Sequence, residues 1–154
     1  MKTGVLISFI FFFSFVTHAQ GYGRDYEGYY HLRSSKENNF SQFWYFNLQS
    51  VNSDGSFDTS HCFAKWFLTD SSLAGGESVD SEMQFVHIWA DSISFGTKLC
   101  YGEQYSFNGK LLFPATQFPE NRLKPVIEGV LILHKYARLV SKAKATFSYD
   151  LPGD

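Results

Sequence analysis

Cysteine, proline and concentrated charge are scarce in this chain, and each scarcity closes off a class of protein. Two cysteines among 154 residues, Cys62 and Cys100, are too few for the dense disulfide framework of a small stapled domain. Three of the four prolines fall between Pro114 and Pro125, so most of the chain is free of residues that cannot donate to a β ladder. Thirteen basic residues face 15 acidic ones. With no basic surplus to draw in a phosphate backbone, nucleic acid is not an expected partner.

Helical periodicity between caps is also missing, which argues against bundles and against alternating β-α units. No Gly-x-Ser-x-Gly elbow and no phosphate-cradling glycine loop occurs. His31, His61, His87 and His134 fall in four different predicted strands, and none stands at a metal-ligand spacing from another. No cofactor or metal is expected, and no catalytic residue is assigned.

What is abundant is the aromatic ring. The stretch Glu82–Phe113 contains three runs rich in aromatic and β-branched residues, separated by Asp91-Ser92 and Gly102-Glu103. That spacing fits consecutive antiparallel strands joined by tight turns. Similar runs cover 27–33, 42–49, 56–68, 126–135 and 138–149, giving about eight strands in an all-β antiparallel domain, either a barrel or a two-sheet sandwich. The connection 114–125 is too rich in proline for a central strand, and Phe118 and Leu123 are expected to pack down and hold it.

Residues 1–19 read as a secretory signal peptide: Lys2, an apolar run Gly4–Val16, and the small-residue approach Thr17-His18-Ala19. The run is shorter than the roughly 20 residues that cross a bilayer. Without it, 20–154 form one domain with 12 basic and 15 acidic residues, net charge −3. The expected location is therefore extracellular, or periplasmic or cell-surface in a bacterium, with no stable membrane anchor. In such a compartment Cys62 and Cys100 could pair, although strand phase places Cys62 among core residues and Cys100 among polar ones. Asn39-Phe40-Ser41 is a glycosylation triplet. Lys135, Arg138, Lys142 and Lys144 form a local basic excess that reads first as a solvated strand edge.

Strict alternation puts Trp44, Phe46 and Leu48 on one face of the second strand, and Met83, Phe85, His87 and Trp89 on one face of the fourth. On that phase His87 is a buried, hydrogen-bonded histidine, the first polar group to look for in a cavity. Rings also stand opposite these faces, at Phe43, Tyr45, Phe63 and Phe67. The 24 aromatic residues of 20–154 exceed what one small core seats, so a second layer covers them or some bind a partner. The candidate ligand-binding residues are Trp44, Trp66, His87 and Trp89. Carboxylate pairs such as Glu82 with Asp91, or Glu103 with Glu128, would serve a secreted hydrolase only if they converge in one cleft.

The order of these elements resembles lipocalin-like small barrels. Gly28-Tyr29-Tyr30-His31-Leu32 is similar to their opening Gly-x-Trp motif, with tyrosine in place of tryptophan. Phe46, then Asp54-Gly55-Ser56-Phe57, then Lys65-Trp66-Phe67-Leu68 resemble the strand, turn and tryptophan strand of exported bacterial members. The similarity spans Glu27–Phe113 and implies a binding domain with an apolar cavity. The expected partner is a small hydrophobic molecule or a carbohydrate. The alternative is an interaction module that turns Phe43, Tyr45 and neighbouring rings toward another extracellular protein.

Overall fold

The computed structural model describes residues 26–35, 40–49, 51–54, 56–68, 77–119 and 123–150. The expected leader, Asn39 of the glycosylation triplet and the Gly75-Gly76 loop lie outside them. Eight strands form where aromatic and β-branched residues alternate with polar ones: β1 (Gly28–Ser35), β2 (Phe43–Leu48), β3 (Phe63–Phe67), β4 (Ser78–Trp89), β5 (Ser92–Thr97), β6 (Glu103–Leu111), β7 (Pro125–Lys135) and β8 (Arg138–Asp150). Each pairs antiparallel with the next, and β8 returns to β1 to close a barrel. Closure leaves no free sheet edge. The sandwich alternative is thereby excluded, and the fold is the lipocalin-like kind of barrel.

Chain direction gives the barrel two distinct ends. β1 starts and β8 finishes at the chain-entry end, together with the β2–β3, β4–β5 and β6–β7 connections. The far end carries the β5–β6 and β7–β8 turns and the approaches to the other two connections.

Of the register shifts in the barrel, two decide where the sequence-derived candidates face. The register shifts between Phe43 and Tyr45 on β2, and again between Met83 and Phe85 on β4. One extra residue turns everything beyond it to the other face. Phe43 is consequently buried and Trp44 faces out, while Met83 and Val86 are buried and Phe85, His87 and Trp89 stand on the outer wall. The expectation of a buried His87 is corrected by that single inserted residue. Another correction concerns the third strand, which covers only Phe63–Phe67. Its forerunner is broken at Asp58, whose side chain accepts from the Ser60 N–H (3.0 Å) and the Ser60 hydroxyl (2.6 Å) and holds a turn instead.

An eight-stranded barrel is just wide enough for side chains to fill it. Here Tyr30, Phe46, Trp66, Phe95, Tyr105 and Phe147 are fully buried, with Leu48, Met83, Ile93 and Leu131 between them. Tyr30 stacks on Phe46 at 4.6 Å, and Phe46 meets Phe95 at 4.5 Å and Phe147 at 5.1 Å. Each such ring contributes about 1.5–3 kcal/mol by leaving water. The chain-entry end is plugged by Phe118, whose ring meets Tyr149 at 4.8 Å and Tyr26 at 6.1 Å. Phe118 thus packs as expected, whereas Leu123 is exposed.

Cys62 and Cys100 are both free. β4 lies between their segments: Cys62 O accepts from Met83 N on one side of it, and Lys98 N donates to Glu82 O on the other. Two strand spacings of about 4.8 Å separate the neighbouring backbones, more than a disulfide spans. The Cys62 thiol donates instead to Gln49 O at 3.3 Å, and burial raises its pKa.

The β7–β8 turn, Tyr136-Ala137, has both residues in the left-handed region (φ 48° and 61°), as a two-residue hairpin requires. Neither is glycine or asparagine. Ala137→Gly should therefore raise stability in urea unfolding by about 0.5–1 kcal/mol, the cost of a Cβ in that region. A lower midpoint would contradict the turn geometry.

Candidate functional site

Polar groups inside the barrel gather at the far end. Alternation on β6 points Glu103, Tyr105 and Phe107 inward, while β3 supplies Trp66 from across the barrel. Their rings meet at 4.8 Å. Phe43 packs edge-on to Tyr105 at 5.0 Å. Phe40, fully buried in the short turn before β2, closes over Tyr105 at 6.4 Å.

Around this aromatic group the backbone demand is met locally. Ser81 Oγ donates to Lys98 O at 3.0 Å, and Thr97 Oγ1 accepts from Tyr105 N at 3.0 Å. Glu103, almost completely buried, forms an ion pair with Lys135 at 2.8 Å. Two interior donors are not met. Trp66 Nε1 and Tyr105 OH are buried and have no hydrogen-bond partner among the described residues, and Gln42 Oε1 is likewise unpartnered. A buried polar group left in this state costs about 1–3 kcal/mol, and native interiors contain few. Burial, and then the nearby Glu103 carboxylate, push the Tyr105 phenol pKa up. It stays an O–H donor throughout the accessible pH range. Trp66 Nε1 and Tyr105 OH are thus two buried donors on rings that touch each other.

Trp66 is the one sequence-derived candidate in this group. Trp44 is half exposed on the outer wall, stacked on Phe67 at 5.8 Å, with Lys65 Nζ 6.0 Å from its ring. His87 stacks on Phe85 at 5.5 Å, also outside. Trp89 stands almost fully exposed beside the β4–β5 turn at the chain-entry end. The four are not brought together. Tyr105 and the interior place of Glu103 escaped sequence reasoning, which named Glu103 only in a pairing with Glu128, and so did Phe40. The alternation of Glu103, Tyr105 and Phe107 after the Gly102 turn was a usable signal for the first two, but nothing in sequence shows that β6 faces β3.

The carboxylate pairs separate as well. Glu82 pairs with Lys98 and Asp91 lies in the turn at the opposite end of β4. Glu103 and Glu128 sit seven residues apart in the β6–β7 ladder, about 23 Å at strand rise. Glu128 faces outward and pairs with Lys110 at 3.0 Å. In the β2–β3 connection Asp58, Ser60 and His61 meet, with Asp58 Oδ2 2.9 Å and Ser60 Oγ 3.2 Å from the same nitrogen, His61 Nδ1. A nucleophilic triad uses the two ring nitrogens separately, and here the Ser60 hydroxyl donates to Asp58. The cluster is a turn cap. The Ser60 hydroxyl, then its backbone N–H, hold the Asp58 pKa down. A groove of about 440 Å³ runs along the outer wall past Asn108, Lys110, Glu128 and Lys144, where the Lys110–Glu128 pair already offsets its charge. Among the described residues no three His, Cys, Asp or Glu side chains converge on a metal position.

No family model matches the chain, and neither curated proteins nor solved structures give a match to it.

Proposed function

We propose that this is an exported, non-catalytic binding domain that takes a small hydrophobic ligand into the far end of its barrel. One neutral acceptor, a carbonyl or hydroxyl oxygen, is held there by Trp66 and Tyr105. The observation that carries this reading is the pair of buried donors with no partner, on rings in contact with each other in an interior lined mainly by aromatic and aliphatic side chains. A ligand oxygen accepting from them would remove the desolvation penalty, while its apolar body would contact Phe40, Phe43 and the Trp66 ring. Entry requires Phe40 to move aside, since its ring now closes the position. A carboxylate ligand is disfavoured, because Glu103 already places a negative charge beside Tyr105.

The test is a fluorescence titration with medium-chain alkanones and alkanols against alkanes of equal length. The oxygenated ligands should alter Trp66 emission, and Trp66→Phe should abolish that component. Tyr105→Phe should weaken binding about tenfold or more, by loss of one donor to a buried acceptor. The same substitution should leave the empty protein as stable as before or up to about 1 kcal/mol more stable, because the hydroxyl it removes is unpartnered. No response to any ligand, or a Tyr105→Phe variant that binds normally, counts against the proposal.

A second reading rests on the outer wall, where Tyr29, Tyr45 and Phe63 follow one another at 5.4 and 6.1 Å and Trp44 meets Tyr45 at 5.3 Å. This ladder supports an interaction surface for a glycan or another extracellular protein. Phe43 leaves that group, because it lies inside the barrel.

A further inference from the structure

The far end has an outer surface unlike the rest of the barrel. The β5–β6 and β7–β8 hairpin tips are locked together: Tyr136 N–H donates to Gly102 O at 2.7 Å. The Tyr136 ring also lies so close over Gly102 that an added Cβ would come within 2.6 Å of it. From this joined crest project Leu99, Tyr101, Tyr136 and Leu139, which are 63%, 68%, 79% and 61% exposed. They project from the hairpin tips rather than tuck inward, so their apolar surface has no seat in the fold. Strict alternation, carried on from Phe95 and back from Ala143, would turn Leu99, Tyr101 and Leu139 inward. β5 ends at Thr97, which releases Leu99 and Tyr101, and a register shift between Leu133 and His134 in the β7–β8 ladder leaves Val140 unpaired there and turns Leu139 outward.

Basic residues collar the crest. Lys98 and Lys135 are matched by Glu82 and Glu103. Arg138 and Lys142, exposed on β8 beside the apolar tips, have no ion-pair partner among the described residues. The local surplus is therefore positive, in a chain whose overall charge is negative. A convex apolar crest with a cationic rim is complementary to an anionic bilayer surface, where side chains enter the acyl boundary and the cations meet lipid phosphates. A protein partner would call for a surface that seats shape-matched side chains, and a projecting crest offers no pocket for them.

We propose that the far end of the barrel binds reversibly to anionic membrane surfaces, with Leu99, Tyr101, Tyr136 and Leu139 inserted and Arg138 and Lys142 on the headgroups. This inference stands independently of the interior ligand.

The experiment is vesicle co-sedimentation of the secreted chain, its N-terminus fixed by mass spectrometry. Vesicles of phosphatidylcholine alone are compared with vesicles that also contain phosphatidylserine. Binding should be at least tenfold tighter to the mixed vesicles and should fall steeply as salt rises. Leu139→Ser and Tyr101→Ser should each weaken it about tenfold. Arg138→Gln and Lys142→Gln, exposed changes that leave folding intact, should each weaken it about fivefold. Leu123→Ser, an equally exposed leucine at the opposite end, should change nothing. Equal affinity for both vesicle types, no binding, or binding untouched by the four crest variants overturns the proposal. So does a concentration-dependent dimer that these variants dissolve while vesicles go unbound, which would make a second copy the partner.

Discussion

Trp66→Ala should lower unfolding stability by about 3–5 kcal/mol, the range for deleting a fully buried large ring. Trp66 is fully buried in the five-residue strand β3 and presses on Tyr105 at 4.8 Å. Removing it leaves a void in the middle of the barrel that the sheet, hydrogen-bonded around its whole circumference, cannot collapse to fill. Domains of this size are stable by roughly 5–15 kcal/mol, so the variant should sit near the edge of folding. Trp66→Phe keeps most of the ring and discards an unpartnered N–H, and its loss should stay below about 1.5 kcal/mol. Urea unfolding of both variants checks this, and equal losses would mean that the indole N–H does have a partner.

Gly129→Ala is expected to cost about 2–3 kcal/mol for a single methyl group. Gly129 faces Gly109 across the β6–β7 ladder. A Cβ there would lie 2.4 Å from Asn108 O, 2.5 Å from Gly109 Cα and 2.5 Å from the Phe107 ring. Two of those three atoms are backbone and cannot rotate away, so the strands must part or Phe107 must leave its contacts with Phe95 and Phe147. Gly96→Ala is the control. Its Cβ would meet only the ring of Phe85, a partly exposed side chain free to swing outward, and the loss should remain below about 1 kcal/mol. Thermal unfolding of the two variants separates a true barrel corner from a generic intolerance of alanine.

The architecture was legible because alternation survives in most strands. Phe95 and Phe107 face inward where the pattern places them, and Trp66 shares the buried face of Cys62 and Ala64, since β3 is too short to contain a bulge. Trp44 and His87 were read on the wrong face for one shared reason. A bulge inserts a residue without any compositional mark, and its effect is to exchange inside for outside. Leu99 and Tyr101 fit the alternation but lie past the end of β5, and Leu139 is turned outward by the register shift beside Val140. The polar group at the far end was legible only in fragments: Tyr105 and Trp66 are 39 positions apart in the chain and meet only because eight strands close into a ring. Local sequence holds no record of which strands face each other across it.

Exchange of the indole protons gives the most direct test of the barrel interior and its donors. Three tryptophans give three indole signals in a ¹H–¹⁵N correlation spectrum. After transfer to D₂O the Trp66 signal should persist and those of Trp44 and Trp89 should vanish at once, and adding an alkanone should move the surviving signal downfield. Rapid loss of all three, or a persistent signal that belongs to Trp44 or Trp89, would contradict a closed barrel with Trp66 at its centre.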